Sequence, residues 1–287
     1  MKKVLKAIGL TIVTLVVLLF LLFAGFLYKV KNGLPFYETE IPKIDFPDHQ
    51  PSVLLFSKST GFRHAGSIDT AKQIIRQLAI KNNWFIYETE SGGVFNENQL
   101  SKFDVVIFNN STGKLLNDQQ KLAFENYIQN GGSFMGIHGA GDNSHHWAWY
   151  VKNLTGADFS HHAITEGFKL QNTSVQIQPG IDSLLSIGIS ASFDHADEWY
   201  VFYENPEKFG FHIIASINGN SINTNGNMKL LASDKNFGMG KFHPVAWYKS
   251  LDKGKSFYTS MGHDPSTWRD PNFVKLIENA MAWSIKK

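Results

Sequence analysis

Gly131-Gly132-Ser133-Phe134-Met135-Gly136-Ile137-His138-Gly139-Ala140-Gly141-Asp142 is the stretch on which the fold turns. Residues 133 to 138 are a short apolar run entered from a glycine pair and left through two more glycines. That pattern predicts a strand covered on both faces that ends in a tight turn. Glycine neighbours permit a strained backbone that projects one side chain, as in a nucleophile elbow, and here the projected group is the His138 imidazole. Asp142, four residues on, is placed to orient or charge-pair that ring.

The pattern repeats on either side. SVLLFS (52 to 57), WFIYET (84 to 89) and FDVVIFNN (103 to 110) are further buried-strand runs. Ile68, Ala71, Ile74, Ile75 and Leu78 recur at helical spacing between the first two. Asn117 or Asp118 is positioned to cap a helix with Leu122, Phe124, Tyr127 and Ile128 inward, which Gly131-Gly132 ends. Strand-helix alternation predicts a doubly wound α/β sheet, with ligands beyond the carboxyl ends of its strands. After Trp147 the pattern loosens. Residues 168 to 178 and 211 to 217 read as strands of mixed exposure, and 243 to 250 with 255 to 262 as a hairpin turning at 252 to 254. A last helix spans about Pro271 to Ile285.

The N-terminus differs from the rest. Ala7 to Tyr28 is an uncharged apolar run of the length that spans a bilayer, longer than the core of a cleaved signal peptide. The expected organisation is a membrane anchor over 1–31 (helix about 7–28), a proline-containing extended linker over 32–50, and an α/β domain over 51–287. Lys2, Lys3 and Lys6 favour an inside N-terminus, with Lys29 and Lys31 weakening the bias, so a single-pass protein with an extracytoplasmic C-terminal domain is expected. The lipid bilayer is thus one expected partner.

Five of the 27 basic residues fall in that segment, leaving 22 against 25 acidic ones. The body therefore has no basic surplus with which to bind a phosphate backbone, and nucleic acid is not an expected partner. The chain contains no cysteine, which removes disulfides, thiolate metal sites and cysteine nucleophiles. Its chemistry must come from residues such as His, Asp and Glu. His64, His138, His145, His146, His161, His162 and His263 nearly all follow predicted strands, so the topology would gather them at one sheet edge.

Several blocks in order resemble the ThuA-like (trehalose-utilisation) family. They are Ser59 to His64, Gly131 to Asp142, Ala157-Asp158-Phe159 with His161 and His162, Asp197-Glu198-Trp199-Tyr200, His243 to Trp247, and Phe257 to His263 with Trp268. The resemblance covers about residues 52 to 285 and implies a class I glutamine amidotransferase-like fold, a flavodoxin-like doubly wound sheet, and a link to carbohydrate metabolism. One departure stands out: the amidotransferase elbow is Gly-x-Cys-x-Gly, whereas this chain has Gly136-Ile137-His138-Gly139-Ala140. Glutamine hydrolysis through a thioester is thereby excluded.

Three readings follow. In the first, His138 and Glu198, helped by His64 or His263, carry out acid-base chemistry on a sugar or keto-sugar. Arg63, Asp142, His162, Trp199 and Trp268 are its expected substrate contacts, Arg63 holding an anionic oxygen and the indoles covering sugar C–H faces. In the second, a divalent metal is held by several of His64, His138, His162, His263, Asp142 and Glu198. No HxH or HExxH spacing supports it, and the pairs His145-His146 and His161-His162 are poor chelators on a strand, where neighbours point to opposite faces. In the third, the domain binds glycans at the membrane surface without catalysis.

Overall fold

The computed structural model describes residues 1–163, 170–225 and 239–286. Its strands are β1 (Ser52–Phe56), β2 (Phe85–Thr89), β3 (Val105–Asn109), β4 (Ser133–Ile137), β5 (Phe159–His162), β6 (Gln171–Ile177), β7 (Ser192–Asp197), β8 (Tyr200–Phe202), β9 (His212–Asn218), β10 (Phe242–Ser250) and β11 (Lys255–Thr259). Nine of them form one sheet in the order β2-β1-β3-β4-β11-β10-β9-β6-β7, and β5 pairs separately with β8. The first five in that order run parallel. They reproduce the flavodoxin-like 2-1-3-4-5 arrangement, with β11 in the fifth place. The other four are antiparallel.

Burial follows from this topology. Every residue of β1, β3 and β4 is buried, because helices cover both faces of the parallel half. Ala65–Lys81 and Pro271–Ile285 pack on one face through Ile75, Leu78, Phe273 and Ile277. Asp118–Gln129 packs on the other through Phe124, Tyr127 and Ile128. It opens with an Asn117 capping box, in which Gln120 reaches back to the cap. Leu122, expected to face inward, is instead 58% exposed, since two residues along a helix is a rotation of about 200° and it cannot share a face with Phe124. β6 alternates in burial, as suits a sheet with one wet face. Residues 168 and 169 of the expected 168–178 strand lie outside the described residues. The hairpin of β10 and β11 is present as expected.

Lys2–Asn32 is one helix, long and apolar enough to cross a membrane, and none of its residues is buried, unlike a core helix. Residues 33–47 carry no regular secondary structure and are fastened to the domain. Lys58 donates to the Phe36 carbonyl and pairs with Glu38 at 2.5 Å. Gln120 donates to the Glu38 carbonyl and Gln99 to that of Pro42. Phe46 then packs edge-on against Phe103.

Candidate functional site

The parallel strands deliver their following loops to one edge of the sheet, and there His64, His138, His162 and His263 converge. His138 leaves β4 with φ +42°, a left-handed conformation that is rare outside glycine. The flanking glycines are required by crowding. A Cβ on Gly139 would sit 3.0 Å from Thr112 and 3.2 Å from His64, and one on Gly141 would collide with the Tyr258 hydroxyl. The strained elbow read from the sequence is therefore present.

The fully buried ring of His138 is fixed by its Nδ1–H, which donates to the Ser260 carbonyl at 2.6 Å. With Nδ1 spent on that carbonyl, Nε2 is the ring atom that faces inward. His263 Nδ1 lies 3.1 Å from that Nε2 and 3.1 Å from Glu198 Oε2, and His138 Nε2 is 3.5 Å from the same carboxylate oxygen. His64 completes the group, its ring 4.9 Å from that of His138 and 5.1 Å from that of His263. One donor atom from each of His64, His138, Glu198 and His263 lies within 4.8 Å of every other. His64 Nδ1 is buried and has no hydrogen-bond partner among the described residues.

Electrostatics set the charge states. Burial, reinforced by the neighbouring imidazoles of His138 and His263, holds His64 well below the usual histidine range, so it is neutral. Burial opposes ionisation of Glu198, but hydrogen bonds to His138 and His263 and the charges of His162 and His263 outweigh it and hold the carboxyl well below its usual range. At the mouth, His162 Nδ1 lies 3.0 Å from Glu198 Oε1. Burial lowers its pKa against the pull of that carboxylate.

The other expected contacts sit elsewhere. Arg63 forms a two-pronged pair with Glu90, at 3.0 and 2.7 Å, rather than reaching into the cluster. Trp199 and Trp268 offer no sugar-stacking surface, because both are core residues, donating to the Gln171 carbonyl and to Ser67. Asp142 does not orient His138, a role taken by the Ser260 carbonyl; it is half-buried, and its charge adds to the burial that raises the pKa values of Tyr200 and Tyr258. His161 turns away to the Thr224 carbonyl while its neighbour His162 faces Glu198, as strand alternation requires. The side chain of His145 lies outside the described residues.

Sequence reasoning passed over a second cluster just beneath. Asp197, fully buried, accepts from the backbone N–H of Glu198 (2.8 Å), Gly262 (2.6 Å) and His263 (3.1 Å). It also accepts from His195 Nε2 at 3.1 Å, while His195 Nδ1 donates to Asp270 at 2.7 Å. One carboxylate thus ties together the two segments that carry Glu198 and His263. Asn110 plays a similar part, accepting from the Gly139 N–H and donating to Ser67. The acid at 197 was visible beside Glu198, but nothing local to it announces four converging donors.

A flavodoxin-like sheet with a buried three-histidine, one-carboxylate cluster at its carboxyl edge defines the class of protein. Residues 52–284 match the ThuA family, described as trehalose utilisation, and the chain belongs to that family. Solved ThuA-like proteins share the fold. One from Bacteroides uniformis ATCC 8492 is 22% identical with a TM-score of 0.66, covering 85% of this chain and 95% of its own. One from Parabacteroides merdae ATCC 43184 is 13% identical with a TM-score of 0.61, covering 83% and 90%. No curated protein matches the sequence.

Proposed function

We propose that this is a single-pass membrane protein whose outward-facing ThuA domain is a metal-dependent enzyme acting on a sugar or keto-sugar, with His64, His138, His263 and Glu198 holding a divalent ion. The observation that carries this reading is the mutual approach of four donor atoms within 4.8 Å in a largely buried cluster. Three imidazoles and a carboxylate buried with their acceptor atoms turned on one another are costly without a shared positive charge. Neutral His64 and ionised Glu198 are the forms a metal binds, and the orphaned His64 Nδ1 would gain a partner. The Nδ1–H of His138 on the Ser260 carbonyl is the outer hydrogen bond that ligating histidines make.

An N/O donor set of this kind suits Zn, Mn or Fe. When bound, such an ion polarises a carbonyl or hydroxyl oxygen of the substrate. The chain's own residues do the rest. Ser260 fixes the tautomer of His138, Asp197 holds the segments bearing Glu198 and His263 in register, and His162 remains at the mouth as the group available to move a proton. The carbohydrate class is supported by the family's description as trehalose utilisation.

Elemental mass spectrometry of the full chain purified in detergent, beside His138→Ala, tests the reading. About one transition metal per chain, lost in the variant, is expected. A metal-free wild type that still turns over sugars would replace it with unassisted acid-base chemistry by His138 and Glu198.

A further inference from the structure

The helix that would enter the bilayer ends at the same edge of the domain as the cluster. The Leu34 N–H donates to the Thr60 carbonyl, and Gly33 is pressed against Thr60 and Gly113 so closely that a Cβ there would collide with both. The Val30 carbonyl lies 3.2 Å from where a Cβ on Gly61 would stand. Gly61 is three residues from His64, and Thr112 bridges the rest: its hydroxyl donates to the Phe62 carbonyl, and its methyl borders Gly139, next to His138. A short chain of direct contacts therefore joins the last turn of the helix to two members of the cluster.

A free linker would make this accidental. Eighteen flexible residues have an r.m.s. span of roughly 24 Å, enough to let either edge of a small domain face the bilayer. Here the segment runs from the His138 edge, where the helix ends, down to the opposite edge, where β1 begins. It is held by the buried Lys58 on Glu38 and Phe36, by Gln120 and Gln99, and by Phe46 on Phe103. Around the helix exit, Leu34, Phe36 and Phe62 are exposed, and Lys29 and Lys31 occupy the last turn of the helix. Aromatic and apolar groups with lysines at the end of a spanning helix are what a lipid headgroup layer receives.

We infer that the anchored domain is strapped with its His138 edge against the membrane, so that the cluster serves the sugar headgroup of a glycosylated lipid rather than a dissolved sugar. This rests on the membrane reading of the N-terminal helix. Strapping sets the height and tilt of the site, so that a headgroup is delivered by diffusion in two dimensions and arrives already oriented.

The absence of cysteine makes the test clean, since single thiol labels have no background. Asp118→Cys, at a fully exposed side chain on the site edge, and Asp252→Cys, in the turn on the opposite edge, would carry a fluorophore in the full chain. The labelled protein is reconstituted in phosphatidylcholine vesicles containing headgroup spin-labelled lipid. Quenching should be severalfold stronger at 118 than at 252, and the difference should collapse when Lys58→Ala and Gln120→Ala loosen the strap. Equal or reversed quenching in the parent overturns the orientation. Alkaline washing of the same vesicles reports on the anchor separately, because protein released by it shows that the membrane reading failed. For the ligand, hydrogen exchange of segments 57–64 and 138–142 is compared in plain vesicles, in vesicles carrying monoglucosyl diacylglycerol, and in plain vesicles with dissolved methyl glucoside. Slowing by the glycolipid alone is expected. Equal slowing by the dissolved sugar, or none by the glycolipid, overturns the lipid-borne substrate.

Discussion

Two buried histidine clusters lie almost in contact at this sheet edge, and they differ in whether their polar atoms are spoken for. Around His195 every valence is matched. Two carboxylates take its two N–H groups, and Asp197 also receives three backbone amides. Around His138 the valences are not all matched. His138 Nε2 and Glu198 Oε2 converge on His263 Nδ1, while His64 Nδ1 has no partner among the described residues. A satisfied buried network stabilises a fold, whereas one with surplus lone pairs and a carboxylate is a place for a cation. Residue types alone do not separate the two, since both are histidine with carboxylate.

Breaking each cluster should therefore do opposite things. The largest effect is expected on function. Glu198→Gln should reduce bound metal by an order of magnitude or more, and sugar turnover at least about 100-fold, with the thermal midpoint nearly unchanged. Loss of stability with retained metal would invert the assignment of the two clusters.

Asp197→Asn should destabilise the fold more than any other substitution at this edge. It puts an NH2 group either against His195 and the Gly262 N–H or against the Glu198 and His263 N–H groups, and so breaks the buried pairing, at about 3–5 kcal/mol in urea unfolding. A loss below about 1 kcal/mol would show that the lower cluster is not what holds the edge together.

The contrast sharpens with pH. Burial opposes protonation of His195, but Asp197 and Asp270 outweigh it and raise its pKa to about 9. A group whose folded pKa exceeds its unfolded one contributes stability that is full below the unfolded value and is lost as pH rises through the folded value. Stability should thus fall between about pH 6.5 and 9, by up to about 3 kcal/mol, and the fall should vanish in His195→Gln. Chemical denaturation across that range measures it.

A peripheral carboxylate gives the smaller benchmark. Glu278 joins Lys81, Asn82 and Lys275 across two helices, and these partners outweigh burial and lower its pKa to about 2. Its contribution should be present above about pH 4.5 and lost on acidification toward 2. Glu278→Gln should cost about 1 kcal/mol, well short of Asp197→Asn. Arg63→Ala, at a half-exposed pair with Glu90, should shift stability by less than about 0.5 kcal/mol and leave metal content unchanged. A large loss of turnover there would restore Arg63 to the site.

Legibility in the sequence followed the range of the interaction. The parallel strands, their helices, the Asn117 cap and the apolar N-terminal helix are local patterns of two-residue and 3.6-residue period, and they emerged where the pattern put them. In the antiparallel extension β6 and β9 were legible only as strands of mixed exposure, β10 as one arm of a hairpin and β7 not at all, because their order in the sheet depends on pairings between distant segments. Arg63, Trp199 and Trp268 read as substrate contacts because polar and aromatic side chains near loops look alike whether they face a groove, another side chain or the core.

By itself the sequence determined the doubly wound α/β class, the elbow at His138, the absence of thiol chemistry and the apolar N-terminal helix, since each depends on residues adjacent in the chain or on composition. The tertiary structure alone decided which histidines meet. Glu198 and His263 are brought to His138 by a carboxylate at Asp197 and a carbonyl at Ser260, far away in sequence. It also decided that the linker is a strap tying the helix to that same edge. Both are settled by hydrogen bonds between segments dozens to more than a hundred residues apart, and such bonds leave no local pattern from which to read them.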